Sequence, residues 1–172
     1  MNQIKLKVKQ RKNYMNYILI SFVLVIGSTL FYLQNQATKQ DEILLNDTVL
    51  YREADLQLQE GDIDSALLTL EELNKRYAAD YNVVHRLGYT YMNRQQFSAA
   101  LTMYTKALDL NPYLVENKNF MYEYATILTS NKQYDNALIV IERILTLEID
   151  EAFRNTVTEL KDYISSMKGS TS

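Results

Sequence analysis

Cysteine is missing from this chain, and proline and glycine are scarce. The 172 residues contain no Cys, one Pro and four Gly. The absence of cysteine excludes a disulfide framework and any chemistry that needs a thiolate. Because turns are built largely from glycine and proline, such low numbers favour a few long helices over many short strands.

Residue types that carry catalysis are sparse as well. The chain has one histidine, His85, and its Ser and Thr residues have no base at a recognisable spacing. No phosphate loop, dinucleotide-binding turn or zinc spacing occurs. Asp62 and Asp64 follow a turn at Gly61. We expect these carboxylates to cap the next helix instead of binding a metal ion. The sequence therefore predicts no enzyme activity, no cofactor and no metal site.

Charge is distributed unevenly along the chain. Residues 1–33 contain five basic residues and no acidic residue, whereas the whole chain carries −3. The remainder therefore carries −8. A basic head and an acidic body argue against nucleic acid as the ligand of the body.

One long uncharged segment, "YMNYILISFVLVIGSTLFYL", occupies positions 14–33. A bilayer-spanning helix needs about 20 apolar residues, and tyrosines near both ends match the preference of such rings for the interface. The basic residues before this segment predict a cytoplasmic N-terminus, with the rest of the chain outside the cytoplasm. A cleaved signal peptide is the alternative, but the apolar run is too long and no small-x-small cleavage site follows it.

The body of the chain repeats itself with a period close to 34 residues. Aligning 60–73 with the segment that begins at Arg94 places Ala66 over Ala100, which is 34 positions later. In a third copy, 131–145, Ala137 follows Ala100 by 37 positions. A repeat of this length corresponds to one helix–turn–helix unit.

The middle copy combines small and aromatic residues at fixed offsets: Leu87, Gly88, Tyr91, Ala100, Tyr104 and Pro112. In this it resembles the tetratricopeptide repeat family, whose pattern has these residue types in this order. Only Val84 departs, because it stands where Trp is usual. Gly88 and Ala100 are predicted to let the two helices of the repeat approach closely, with the larger side chains filling the surrounding space.

The resemblance implies an all-α solenoid of three repeats with a C-terminal capping helix, and the apolar segment predicts one N-terminal transmembrane helix before it. Three extra residues in "NPYLVENKNF" predict that the first helix of the third repeat starts early and is longer. Asn46 or Asp47 is expected to cap a helix. The predicted segments are a basic segment 1–13, a transmembrane helix 14–33, a linker 34–46, repeats 47–80, 81–114 and 118–151, a capping helix 152–168 and a tail 169–172.

In this family the first helix of each repeat lines a groove, and fixed offsets on that helix face a ligand. Transferred to this chain, these offsets imply a peptide-binding groove with an aromatic stripe. The residues are Tyr51, Asp55, Leu58, His85, Tyr89, Met92, Tyr122 and Thr126. The subfamily that clamps a C-terminal carboxylate needs Lys and Asn where this chain has Tyr51 and Asp55, so we do not expect that ligand.

These observations predict a membrane-tethered scaffold or adaptor outside the cytoplasm. Its groove would bind a peptide or helical segment of a partner protein during assembly, secretion or maturation of a cell-envelope complex. The layout resembles bacterial single-pass proteins of the plasma or inner membrane that carry an exported repeat domain. The alternative is a structural subunit that self-associates and has no separate client. The groove could also be occupied by the chain's own C-terminal helix.

Overall fold

The structure is a computed structural model that describes residues 2–170, with side chains described for residue 17, for 19–39 and for 44–169. The predicted basic segment 1–13, the first residues of the predicted span, residues 40–43 of the predicted linker and the last three residues of the predicted tail lie outside the described side chains. In the described part the chain is helical and contains no strand. The helices are α1 (Asn2–Glu60), α2 (Ile63–Arg76), α3 (Tyr81–Asn93), α4 (Phe97–Leu110), a 3₁₀ helix (Pro112–Glu116), α5 (Lys118–Ser130), α6 (Tyr134–Leu145) and α7 (Glu151–Ser170).

The chain divides into two compact units, Met1–Thr48 and Val49–Ser172. In the first unit, α1 runs without interruption through the predicted linker, so the expectation that Asn46 or Asp47 caps a helix is wrong. The part of α1 from Leu19 onward contains a window that is long and apolar enough to cross a membrane, and none of that window is buried. A signal sequence near an N-terminus has the same properties.

In the second unit, side-chain caps mark where several helices begin. The carboxylate of Asp62 accepts a hydrogen bond from the backbone N–H of Ser65 at 3.2 Å, which confirms its predicted role at the start of α2. Hydrogen bonds from Ser65 hold the pKa of Asp62 below its usual value. Asp80 and Asn117 cap α3 and α5 in the same way. Asp64 instead pairs with Arg94 at 3.1 Å.

The turn between the two helices of each repeat has one residue in the left-handed backbone region. These residues are Gly61, Gln95 and Lys132, with φ of 83°, 62° and 59°. Only glycine adopts this region without a steric cost, because it lacks a Cβ atom. The first turn therefore has the residue that its backbone requires, whereas the other two turns carry strain.

The extra residues before the third repeat form an element of their own. Pro112 begins the 3₁₀ helix, which buries Leu114 and ends before the cap residue Asn117. The first helix of the third repeat, α5, then starts at Lys118 and has 13 residues, the same number as α3. The expectation that this helix starts early and is longer is therefore wrong, since proline at the first position of the insertion nucleates a separate short turn.

The core of the second unit lies between successive helices. One buried cluster joins α1, α2 and α3 and includes Ala54, Leu70 and Leu87. A larger cluster joins α3 to α7 and includes Tyr104, Phe120 and Ile141. The small residues Ala66, Ala100 and Ala137, which define the repeat in sequence, are all fully buried. This confirms the solenoid of helical hairpins that the repeat pattern predicts.

Gly88 marks the closest approach of α3 and α4. A Cβ atom added at Gly88 would lie 2.8 Å from Cδ2 of Tyr104 and 3.0 Å from Cβ of Met103. The predicted close contact at Gly88 is thus confirmed, and the Tyr104 ring on α4 is one of the large side chains expected to fill the space around it. Helix α3 needs glycine here because the facing side chain is large.

Candidate peptide-binding groove

Side-chain contacts join each repeat's first helix to the next one along the second unit. Asp55 on α1 contacts Arg86 on α3, with Oδ1 and Nε 2.8 Å apart. His85 on α3 contacts Glu123 on α5, with Nε2 and Oε2 3.1 Å apart. At the C-terminal end, Tyr122 on α5 packs against Phe153 on α7, with ring centroids 5.7 Å apart. We call the surface along this row of contacts the groove face.

Arg86 is the centre of the first group of side chains on the groove face. Its guanidinium binds the Asp55 carboxylate, lies 5.9 Å from the centroid of the Tyr89 ring and hydrogen-bonds to Tyr51. Burial opposes the charge of Arg86, but the hydrogen bond to Tyr51 and the charge of Asp55 outweigh it and raise the pKa of the guanidinium. The positive charge is therefore permanent and already balanced within the chain.

Glu123 is the centre of the second group. Its Oε2 accepts a hydrogen bond from the Tyr104 hydroxyl at 2.7 Å and lies 3.1 Å from His85 Nε2. The His85 ring meets the rings of Tyr104 and Phe120 edge-on, at centroid distances of 5.1 and 4.9 Å. Burial raises the pKa of Tyr104, so its hydroxyl stays protonated and remains a donor to the carboxylate.

The third group lies at the junction with α7. Lys118 Nζ contacts Asp150 Oδ2 at 3.2 Å and lies 5.2 Å from the centroid of the Phe153 ring. Tyr122 packs on Phe153 much as His85 packs on Phe120. Along α6, ion pairs join Lys161 to Glu142 and Lys168 to Asp135. Helix α7 therefore packs beside α6, where the first helix of a further repeat would be.

The remaining predicted groove residues have varied surroundings. Leu58 is half-buried against the cluster of α1, α2 and α3, and Met92 is half-buried against the larger cluster. The Thr126 hydroxyl donates to the backbone carbonyl of Tyr122 at 2.9 Å. The structure thus brings Tyr51, Asp55 and Tyr89 together around Arg86, while Leu58 and Met92 contribute largely to packing.

Sequence reasoning did not select Arg86 or Glu123 as site residues, yet they are the hubs of the first two groups. Arg86 and Glu123 occupy the same position in the second and third repeats, each two residues before the small residue, Gly88 or Ala125. Opposite charges at one repeat position were the available signal. This signal does not identify the residue that each charged side chain contacts. His85, which contacts Glu123, is 38 residues away from it in the sequence.

Among the side chains that the structure describes, no group of three or more His, Asp or Glu residues could hold a metal ion. The contacts of His85 are a carboxylate and two aromatic rings, and none of them is a nucleophile with an adjacent base. The chemistry of the groove face is that of a surface with aromatic rings and internally balanced charges.

Two sequence models of the tetratricopeptide repeat match the chain, one over residues 48–79 and the other over residues 85–152. Together they span more than half of its length. The chain belongs to the tetratricopeptide repeat family. No curated protein matches it in sequence.

Solved structures with the same fold cover about 70% of the chain. The Yersinia enterocolitica type III secretion chaperone SycD, in complex with a peptide of the translocator YopD, is 18% identical, with a TM-score of 0.59 over 70% of this chain and 93% of SycD. The TPR2B domain of yeast Sti1, in its Hsp70 complex, is 18% identical, with a TM-score of 0.59 over 70% of this chain and 97% of that domain. A structure of MamA from MSR-1 is 22% identical, with a TM-score of 0.63 over 72% of this chain and 68% of that one.

Proposed function

We propose that this protein is a protein-interaction scaffold whose groove face binds a segment of a partner protein. The observation that carries the proposal is the cluster of Tyr51 and Tyr89 around Arg86, with Tyr122 further along the same face. Tyrosine offers a large apolar area and a hydroxyl at a low cost in conformational entropy, so it is well suited to peptide recognition. Of the solved structures with a similar fold, SycD is in complex with a peptide of the translocator YopD, and the TPR2B domain of Sti1 is in a pHsp70 complex.

The charges of the groove face favour a ligand that is not strongly acidic. Asp55 balances the guanidinium of Arg86, and the Glu123 carboxylate lies beside His85 and Tyr104. A ligand carboxylate would have to displace Asp55 to reach Arg86, and the acidic body of the chain would repel it. We therefore expect an uncharged or mixed segment whose apolar side chains pack on the tyrosine rings.

The membrane part of the proposal rests on the apolar segment Tyr14–Leu33 and the basic residues before it. We propose that this segment tethers the scaffold to the plasma or inner membrane, with the N-terminus in the cytoplasm and the repeats outside it. The partner would be held near the membrane during assembly, secretion or maturation of an envelope complex. A reporter that is active on only one side of the membrane, fused after Ser172, tests this orientation; activity in the cytoplasm would contradict it.

The experiment that tests the groove is photocrosslinking in intact membranes, with a photoreactive residue at Tyr89 and mass spectrometry of the adducts. We expect one protein adduct that disappears when Tyr51→Ala and Tyr122→Ala are combined. A photoreactive residue at the exposed Thr102 on α4 controls for random proximity. As a matched control, Tyr113→Ala removes an exposed ring outside the groove face and should leave the adduct intact. Adducts that survive the double substitution, or none at all, would contradict the proposal.

A further inference from the structure

The second unit has an exposed apolar face at its N-terminal end. Val49 and Leu56, on the last turns of α1, are 62% and 51% exposed. They are seven residues apart, which is close to two helical turns, so they lie on the same side of the helix. We call the surface formed by Val49, Leu56 and the intervening Arg52 and Glu53 the terminal face.

The equivalent positions in the other repeats are buried. Val83 and Thr90 in α3, and Phe120 and Ile127 in α5, are at most 6% exposed. These residues pack against the preceding second helix: Val83 lies in one cluster with Leu67 and Leu70 of α2. The terminal face thus has apolar residues where the other repeats have a helix–helix contact, yet its apolar side chains are exposed in the part of the chain that the structure describes.

The other end of the solenoid is different. The exposed side chains of α7 are mostly polar, Tyr163 at 55% exposed being the large apolar exception, while Lys161 pairs with Glu142 of α6. Terminal repeats of solenoids usually have such a polar outer face, because it keeps the end soluble. An apolar face at the N-terminal end and a mostly polar exposed surface on α7 indicate that the N-terminal end is better suited to an apolar partner.

We propose that the terminal face binds the same face of a second copy of this chain, with the two α1 helices parallel. The charges of the face support this occupant. Successive helical residues are about 100° apart, so Arg52 and Glu53 lie on opposite flanks of the line through Val49 and Leu56. Around a parallel two-fold axis, each flank of one helix lies beside the opposite flank of the other. Arg52 of each copy then lies beside Glu53 of its partner, on both sides of the apolar seam.

This inference goes beyond the proposed function and does not depend on the groove face. The seam contributes two apolar side chains per copy, which is well below the roughly 1,600 Å² of total area that a standard stable interface buries. The pairing is therefore expected to be weak in dilute solution and populated where copies are concentrated, as in one membrane.

Because the chain has no cysteine, single-cysteine variants of the full-length protein test the arrangement directly. Oxidation in membranes should link Val49→Cys to Val49→Cys, and Leu56→Cys to Leu56→Cys, in covalent dimers. Thr158→Cys on the polar end is the matched exposed control and should stay monomeric. Linking only in a mixture of Val49→Cys and Leu56→Cys would indicate antiparallel copies and overturn the proposal, as would dimers at Thr158→Cys alone or no dimers at all.

A charge exchange supplies an independent readout that unfolding would not imitate. In the Leu56→Cys background, Arg52→Glu should lower the yield of dimer about fivefold, since two exposed ion pairs become like-charge contacts. Adding Glu53→Arg should restore the yield, because the pairs are re-formed with their signs reversed. Failure of the second substitution to restore it would overturn the proposal. The combination Tyr51→Ala and Tyr122→Ala should leave these yields unchanged, which separates this test from that of the groove.

Discussion

At the scale of single residues, the size of one side chain decides the size of its neighbour. The same repeat position holds Ala54, Gly88 and Ala125, and the position that faces it from the second helix holds Leu70, Tyr104 and Ile141. The smallest residue thus stands opposite the largest. All of these side chains, and the Cα atom of Gly88, are buried. A larger residue at either position of a pair would therefore displace the residue that faces it.

This pairing predicts the effect of Gly88→Ala. The new methyl group would lie 2.8 Å from the Tyr104 ring, and overpacking of this kind costs about 1–3 kcal/mol. Alanine recovers up to about 1 kcal/mol through its higher helix propensity, so we expect a net loss near 1 kcal/mol in the free energy of unfolding. Denaturant titration of the full-length protein in detergent measures it.

The control is the same substitution in a Tyr104→Leu background, which imitates the alanine–leucine pair of the first repeat. There Gly88→Ala should be neutral or stabilising by up to about 1 kcal/mol, because only the propensity gain remains. A cost that is equal in both backgrounds would show that the Tyr104 ring is not the cause.

At the scale of secondary-structure elements, the three turns between paired helices have the same backbone conformation but different sequences. Each has one residue with positive φ: Gly61, Gln95 or Lys132. The helices on either side are held by packing and by hydrogen bonds such as Gln133 N–H to Leu128 C=O at 2.9 Å. The packed helices therefore impose the left-handed conformation on side chains that disfavour it.

We predict that Lys132→Gly stabilises the protein by up to about 1 kcal/mol, because glycine has no Cβ penalty at this backbone conformation. The midpoint of denaturant unfolding should rise accordingly. Lys132→Ala is the control, since it removes the charge and keeps the Cβ atom, and it should give no gain. An equal gain from both substitutions would assign the effect to charge instead of backbone strain.

At the scale of the whole molecule, the second unit is a stack in which each helix pair is stabilised by its neighbours. Helix α7 covers α6 through buried side chains that include Val157 and Ile164. In such a stack, the loss of a terminal contact destabilises the adjacent repeat first and the distant repeat least. Stability should therefore respond to α7 in a graded way along the chain.

We predict that Ile164→Ala lowers the free energy of unfolding by about 2–5 kcal/mol, the usual range for a buried isoleucine. Hydrogen exchange should show the largest loss of protection in α5, α6 and α7 and the smallest in α2 and α3. The exposed Ser165→Ala is the matched control and should stay within about 0.5 kcal/mol of the parent. Equal loss of protection in α2 and α6 would contradict the stacked arrangement.

Local sequence patterns were sufficient to predict the helical repeats and the start of α2. The spacing of Ala66, Ala100 and Ala137 predicts the paired helices, and Asp62 signals where α2 begins. These features depend on residues within a few turns of one another, so they can be read from the chain. The apolar segment near the N-terminus likewise follows from composition alone, as do the lack of cysteine and the excess of acid in the body.

Tertiary structure alone decided which side chains meet across repeats. Nothing in the sequence near His85 indicates that its partner is Glu123, or that Arg86 is balanced by Asp55. Such contacts depend on how neighbouring hairpins pack against each other. That packing is set by the sizes and shapes of many side chains spread over more than 30 residues. For the same reason the 3₁₀ helix after α4 and the exposure of Val49 and Leu56 became clear only in the folded chain, where each helix face either has a neighbour or lacks one.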